Sequence, residues 1–175
     1  MKKGLFLFCL IGILASGSAY AQDWSQFRGM GRDGKVTGFK APASWPSQLE
    51  QQWQVTVGSG DATPALVGKK IYTHTRQGDE EITRCIDAAT GKELWKSSYP
   101  ASAVTGPAAS HPGPRSSPAE ASGKLVTFGV SGILTCLDAS TGKTIWRKEN
   151  PGGAVPQFFT GMSPLIAENT CIAFT

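Results

Sequence analysis

Charge, sulfur and long apolar runs are all scarce in this chain. Only 17% of its 175 residues are charged, with 3 Met, 4 Cys and 2 His. No long run of like charges occurs, and with 40% hydrophobic residues the composition is not that of a solvated disordered chain. The formal net charge is +4, and Lys2 and Lys3 supply half of it. The rest of the chain is close to neutral, and phosphate binding needs a basic patch, which argues against nucleic acid as a partner. No helical periodicity runs beyond the first residues, which excludes a coiled coil or a helical bundle. No CxxC or CxxCH is present, and no P-loop, GxGxxG context or Ser/His/Asp order stands out. A redox dithiol, covalent haem, a nucleotide cradle and a hydrolytic triad therefore have no sequence support.

What the chain does have is turn formers and indoles: 21 Gly, 11 Pro and 5 Trp. That balance predicts an all-β protein. The N-terminus reads separately. Lys2 and Lys3 precede an apolar run from Leu5 to Ala15, and the triplet Ala19-Tyr20-Ala21 follows. This order predicts a secretory signal over residues 1–21, cleaved before Gln22. The run is shorter than the ~20 residues a membrane-spanning helix needs. Ser18 stands where a lipid-anchored form would need a cysteine. The mature chain is expected to be exported, periplasmic or secreted, without a transmembrane segment. Cys9 leaves with the signal. Cys85, Cys136 and Cys171 each sit in an apolar, strand-like stretch and read as small buried hydrophobes.

A repeat organises the rest. Cys85-Ile86-Asp87-Ala88-Ala89-Thr90-Gly91-Lys92-Glu93-Leu94-Trp95 aligns with Cys136-Leu137-Asp138-Ala139-Ser140-Thr141-Gly142-Lys143-Thr144-Ile145-Trp146. Seven of the eleven positions are identical at an offset of 51 residues. Upstream, Thr63-Pro64-Ala65, Ser117-Pro118-Ala119 and Ser163-Pro164-Leu165 correspond. An apolar run, a turn and a second apolar run follow each of them, the second runs being 70–74, 124–128 and 170–174. In the first full unit, strands are expected at 64–67, 70–75, 81–86 and 92–96, separated by turns at 68–69, 77–79 and 88–91. Four strands per repeat of ~40–50 residues is the pattern of a β-propeller blade. Within each turn, the Asp carboxylate can accept backbone N–H groups and the Gly can take a positive φ. The Trp four residues later falls on the outermost strand, where its ring can fill the gap between blades. Asp87, Gly91, Trp95, Asp138, Gly142 and Trp146 are thus read as a structural girdle rather than as chemistry.

The repeated Asp…Gly…Trp spacing resembles the tryptophan-docking motif of the PQQ-like (pyrroloquinoline-quinone-type) β-propeller family. Cys85 and Cys136 stand where that motif usually has alanine. The resemblance covers about Trp45 to Thr175, and the opening Asp23-Trp24-Ser25-Gln26-Phe27-Arg28-Gly29 is similar to the start of secreted bacterial members. It implies an all-β propeller of four-stranded blades, about eight in a closed ring. This chain would hold two blades and part of a third, and is read as an N-terminal fragment. Trp53 aligns with Trp95 and Trp146 and is expected on an outer strand that closes the ring. The chain thus divides into the signal (1–21), an N-terminal segment (22–52) and the partial propeller (53–175). The family includes quinoprotein dehydrogenases and cofactor-free scaffolds, so the resemblance specifies fold more than function.

Candidate ligand-binding residues lie where loops enter the innermost strands. Those loops differ in length: Trp53 to Pro64 spans 11 residues, Trp95 to Pro118 spans 23, and Trp146 to Pro164 spans 18. Insertions gathered on one face of a repeat protein often mark its binding face. The longest, from Ser98 to Ser117, carries His111 and Arg115. Arg115 reads either as an anchor for an anionic group or as a solvated loop residue. His111 reads as a metal ligand or proton shuttle, or as surface. Asp61, Thr63, Ser117 and Ser163 either line a pocket or cap the inner strands. His74, on a strand, reads as structural. No residue is assigned a catalytic role and no metal ligand set is assigned, since one carboxylate is too few for Ca²⁺.

Two functional readings follow. In the first, the chain is part of an exported, non-catalytic binding or scaffold module without a cofactor, presenting its looped face to a protein, peptide or carbohydrate. In the alternative it is a quinoprotein oxidoreductase, with PQQ over Ca²⁺ oxidising an alcohol or sugar. The vicinal cysteine pair of some quinoprotein alcohol dehydrogenases is missing. The first reading is favoured.

Overall fold

The computed structural model describes residues 22–149 and 155–174. The signal assigned to residues 1–21 lies outside the described residues. Ten strands and a single 3-10 turn, Gly106–Ala108, make up the regular structure. Strands β1 (Ala65–Val67), β2 (Lys70–Gln77), β3 (Glu80–Asp87) and β4 (Glu93–Pro100) form one four-stranded sheet. Strands β5 (Ala119–Ala121), β6 (Lys124–Phe128), β7 (Leu134–Asp138) and β8 (Thr144–Lys148) form a second. The hairpin of β9 (Leu165–Ala167) and β10 (Thr170–Ile172) repeats the first two strands of a blade. Both full sheets are antiparallel meanders in sequence order, the connectivity of a propeller blade. The same register shift recurs, between Cys85 and Ile86 and between Cys136 and Leu137.

The turn chemistry acts as the residue types require. Asp138 Oδ1 accepts the N–H groups of Ser140 (3.0 Å) and Thr141 (2.8 Å) and both their hydroxyls. Asp87 Oδ1 accepts the N–H groups of Ala89 and Thr90 and the Thr90 hydroxyl. These bonds hold the Asp138 carboxyl down to about pKa 2, led by those from the Ser140 and Thr141 hydroxyls. Gly91 and Gly142 both sit at φ +73°, where a Cβ would be strained. A Cβ there would also meet an indole, 2.8 Å from Trp53 and 2.5 Å from Trp95 respectively.

Packing lies between the sheets. Ala65, Tyr72 and Cys85 of the first blade face Leu125, Leu137 and Ala139 of the second, with Trp95 against them. Val126, Phe128, Leu134 and Cys136 in turn face Ile166, Cys171 and Ala173, with Trp146 alongside. Trp95 Nε1 donates to Ala139 O at 3.2 Å, so an indole of one blade is pinned to the turn of the next. Trp53 Nε1 donates to Ala88 O at 3.1 Å, the equivalent place one blade earlier.

Residues 51–57 are extended without a ladder partner among the described residues, while Trp53 docks as Trp95 does. One sequence expectation is corrected: Ser98, Tyr99 and Pro100 belong to β4 and not to the insertion, because β3 begins at Glu80 and pairs with β4 out to Pro100.

Candidate functional site

In a meander, chain reversals alternate between two rims. The connections into β1, β5 and β9 share one rim with the β2–β3 and β6–β7 reversals. The Asp-containing turns occupy the other rim. All the sequence-predicted ligand residues fall on the first rim, and the structure brings them together. Pro112-Gly113-Pro114 folds back onto Ser59-Gly60-Asp61, with Asp61 N donating to Pro114 O at 2.9 Å. Gly113 touches the Ser59 carbonyl so closely that no Cβ fits there. This places His111 Nδ1 3.0 Å from Asp61 Oδ2, an exposed ion pair when the imidazole is protonated. Arg115 reaches both ways, Nη1 donating to Phe158 O (2.8 Å) and Nη2 to His111 O (2.9 Å). It ties the insertion to the loop entering β9.

Ser117 bridges two entrances. Its Oγ accepts Thr63 N–H at 3.2 Å, and its own N–H donates to Ser163 Oγ at 2.9 Å. Thr63, Ser117 and Ser163 therefore form a relay across three adjacent inner-strand entrances. Here the serines cap the inner strands.

Sequence reasoning missed three things on or under this rim. The first is the course of residues 22–34. Trp24 N donates to Leu66 O (2.7 Å), Leu66 N donates to Trp24 O (2.9 Å), and Glu120 N donates to Ser25 O (2.8 Å). The N-terminal segment thus runs along the free edges of β1 and β5, edges that would otherwise invite foreign strands. The second is a cleft of about 400 Å³ that this segment makes with the inner-strand entrances, lined by Phe27, Arg28, Arg32, Arg115, Met162 and Ser163. The available signal was two arginines in a glycine-rich turn, Arg28-Gly29-Met30-Gly31-Arg32.

The third is a buried polar cluster beneath the rim. Glu81 Oε1 accepts the N–H of Val130 at 2.9 Å, and Oε2 accepts the hydroxyl of Tyr99. His74 Nδ1 lies 3.1 Å from Thr83 Oγ1, and its Nε2 is 3.7 Å from Glu81 Oε2. Burial pushes the His74 pKa down, against the pull of the Glu81 charge. Burial and the Glu81 charge push the Tyr99 phenol up. The Arg147 guanidinium lies over the Tyr99 ring, 4.4 Å from its centroid. The cluster joins two blades and is buried, His74 and Glu81 both being 1% exposed.

Among the described residues no three His, Cys, Asp or Glu side chains converge as a metal site. Asp61 is the one carboxylate at the entrances and is already paired with His111. These residues do not assemble the oxygen-rich cradle that Ca²⁺ requires, so no step is derived through Ca²⁺ or PQQ.

Comparison with known proteins gives the following. A PQQ-repeat family model, described as Outer membrane protein assembly factor BamB, matches residues 78–175, more than half of the chain. Among solved structures, a europium-containing methanol dehydrogenase is 20% identical with a TM-score of 0.47, over 71% of this chain and 21% of that one. BamB from Moraxella catarrhalis is 20% identical with a TM-score of 0.37, over 64% of this chain and 27% of that one. The chain thus spans about a fifth to a quarter of the length of these two proteins. No curated protein matches it.

Proposed function

The chain belongs to the PQQ-repeat β-propeller family described as Outer membrane protein assembly factor BamB, and from that premise we propose that it is part of an exported, non-catalytic propeller that binds a protein partner. The partner would sit on the rim built by residues 59–61, 101–116 and 155–163. Export rests on the signal read over residues 1–21. No helix among the described residues is long and apolar enough to cross a membrane.

One observation carries the reading. The carboxylate, imidazole and hydroxyl groups at the entrances are paired with one another, Asp61 with His111 and Ser117 with Thr63 and Ser163, while Arg115 ties two loops through two carbonyls. A nucleophile needs an adjacent base, and a base needs a substrate proton within reach. Here the same residues stiffen long loops into a fixed surface, which lowers the ordering cost of association. The family match is consistent with a protein partner, since its description names an assembly factor.

The test has two arms. A photo-crosslinking residue is placed at Ser110 on the looped rim, or at Thr90 on the opposite rim, in the exporting host. Protein adducts concentrated at Ser110 are expected. Equal yields at both rims would remove the basis for the reading. Calorimetric titration with PQQ plus Ca²⁺ is expected to show no binding. Saturable, Ca²⁺-dependent binding would replace the scaffold reading with the quinoprotein oxidoreductase reading, and alcohols and sugars would then be screened with an artificial electron acceptor.

A further inference from the structure

We propose that the arginine cleft beside the inner-strand entrances takes an acidic segment of a protein partner, whose carboxylates sit on Arg28, Arg32 and Arg115. The inference rests on the looped rim being a binding face and adds the chemistry of what binds. The three guanidinium groups come from distant parts of the chain. Arg28 and Arg32 belong to the N-terminal turn, and Arg115 ends the long insertion. Both turn residues sit at positive φ, 62° and 56°, a backbone region that arginine rarely adopts. Three hydrogen bonds hold that conformation: Gly29 N to Gln26 O, Arg32 N to Gly29 O and Gly34 N to Arg28 O.

None of the three arginines has a carboxylate within 4 Å among the described residues. Each guanidinium offers five N–H donors. The protein acceptors they meet are few: Asp33 O for Arg28, Gln26 Oε1 for Arg32, and the Phe158 and His111 carbonyls for Arg115. Most donors around the cleft are therefore open to a ligand. Like charges lining one cleft repel, and an anion relieves that repulsion.

The rest of the lining selects among anions. Phe27 and Met162 are 49% and 39% exposed beside the arginines, and lysine is missing from the lining. Arginine, aromatics and methionine are enriched at protein interfaces, and lysine is depleted. A planar guanidinium matches a carboxylate with two parallel hydrogen bonds. An acidic polypeptide with apolar side chains uses both features, whereas a fully hydrated polyanion uses only the charge.

The probe is a short fluorescent peptide alternating Asp and Phe, titrated with the full chain and followed by polarisation. Saturable binding that weakens with salt is expected. Arg28→Gln and Arg32→Gln should each weaken it about two- to fivefold, the range for an exposed charge pair. Arg32→Lys should recover part of the loss. Arg32 is exposed, so its variants should melt with the parent. Equal binding of the matching Asn and Phe peptide, with the arginine variants silent, overturns the carboxylate assignment but leaves the binding face intact. Binding of dextran sulfate without the peptide overturns it in favour of a glycan. No binding of any probe also overturns it, and the crosslinking yields at Ser110 then decide separately whether the rim binds protein.

Discussion

The Glu81 carboxylate of the first blade accepts the main-chain N–H of Val130 in the second at 2.9 Å, with both residues buried. The bond is one half of a bridge. Val130 O accepts Thr160 N–H at 3.0 Å from the loop entering β9, so three successive units are joined through one residue. Removing the carboxylate strands the Val130 N–H and leaves the Tyr99 hydroxyl only a long contact to His74 Nε2 at 3.5 Å. Glu81→Ala is expected to cost about 2–4 kcal/mol, one buried group left unsatisfied and a second weakly satisfied. Tyr99→Phe removes one partner and should cost about 1 kcal/mol. Urea denaturation of the three proteins checks the order.

The docked indole gives a second prediction. Trp95 contributes packing against Tyr72 and a hydrogen bond to Ala139 O. Trp95→Phe should lose about 1 kcal/mol and Trp95→Ala about 2–4 kcal/mol. Gly142→Ala should approach the alanine variant without touching the indole itself, because its Cβ meets the ring at 2.5 Å from a backbone at φ +73°. Calorimetric melting of the single and double variants would show strong non-additivity for Trp95→Ala with Gly142→Ala.

Stability should fall with acid in two separate windows. His74 is buried with its pKa lowered from 6.5, chiefly by desolvation. Below about pH 6.5 the unfolded chain takes up a proton that the folded chain resists, so stability drops as pH falls. Phe128 occupies the equivalent place one blade later, and His74→Phe is expected to flatten this window. Asp138 is held at about 2 against an ordinary 3.8, led by the Ser140 and Thr141 hydroxyls. Its contribution is complete above pH 3.8 and is lost as pH falls toward 2. Asp138→Asn should flatten only that lower window. Melting temperatures from neutral pH down to pH 2 separate the two.

Thiol reactivity supplies a fourth. Cys85 and Cys136 are buried, Cys171 is partly exposed, and burial pushes all three thiols up. The thiolate is the reactive species. Native-state labelling with iodoacetamide should therefore be slow throughout, with Cys171 modified first. Peptide mapping that found Cys85 labelled ahead of Cys171 would contradict the packing between the blades.

The blade pattern was legible because it is written locally. Asp87, Gly91 and Trp95 recur at the same spacing as Asp138, Gly142 and Trp146, and each acts within a turn or on its nearest neighbour. The inner-strand entrances were legible as places, since the Pro64, Pro118 and Pro164 positions mark them. What His111, Arg115 and Ser117 do there was not legible. Their partners Asp61, Phe158 and Ser163 lie 43–50 residues away, and only the closing of blades side by side brings them near. The same holds for Arg28 and Arg32. Nothing in the Gly-rich turn says that residues 22–27 will run along two sheet edges and deliver it beside Arg115. Glu81 escaped notice because its acceptor role faces a backbone N–H, which leaves no trace in the side-chain pattern.

The pinning of each indole to the following turn has a consequence for how such a chain can lengthen or shorten. Every junction joins the same plug, Trp53 or Trp95, to the same socket, the turn at Asp87 or Asp138. Plug and socket are carried on opposite flanks of each unit, so the stack has a direction, and any unit can follow any other. Excising or duplicating one 51-residue period in frame leaves every remaining plug facing a socket. A cut that stops inside a unit leaves an indole without its socket, whereas the entrance loops, which already differ in length, can change without disturbing the docking. Changes in ring size are thereby quantised: the gene can gain or lose whole units.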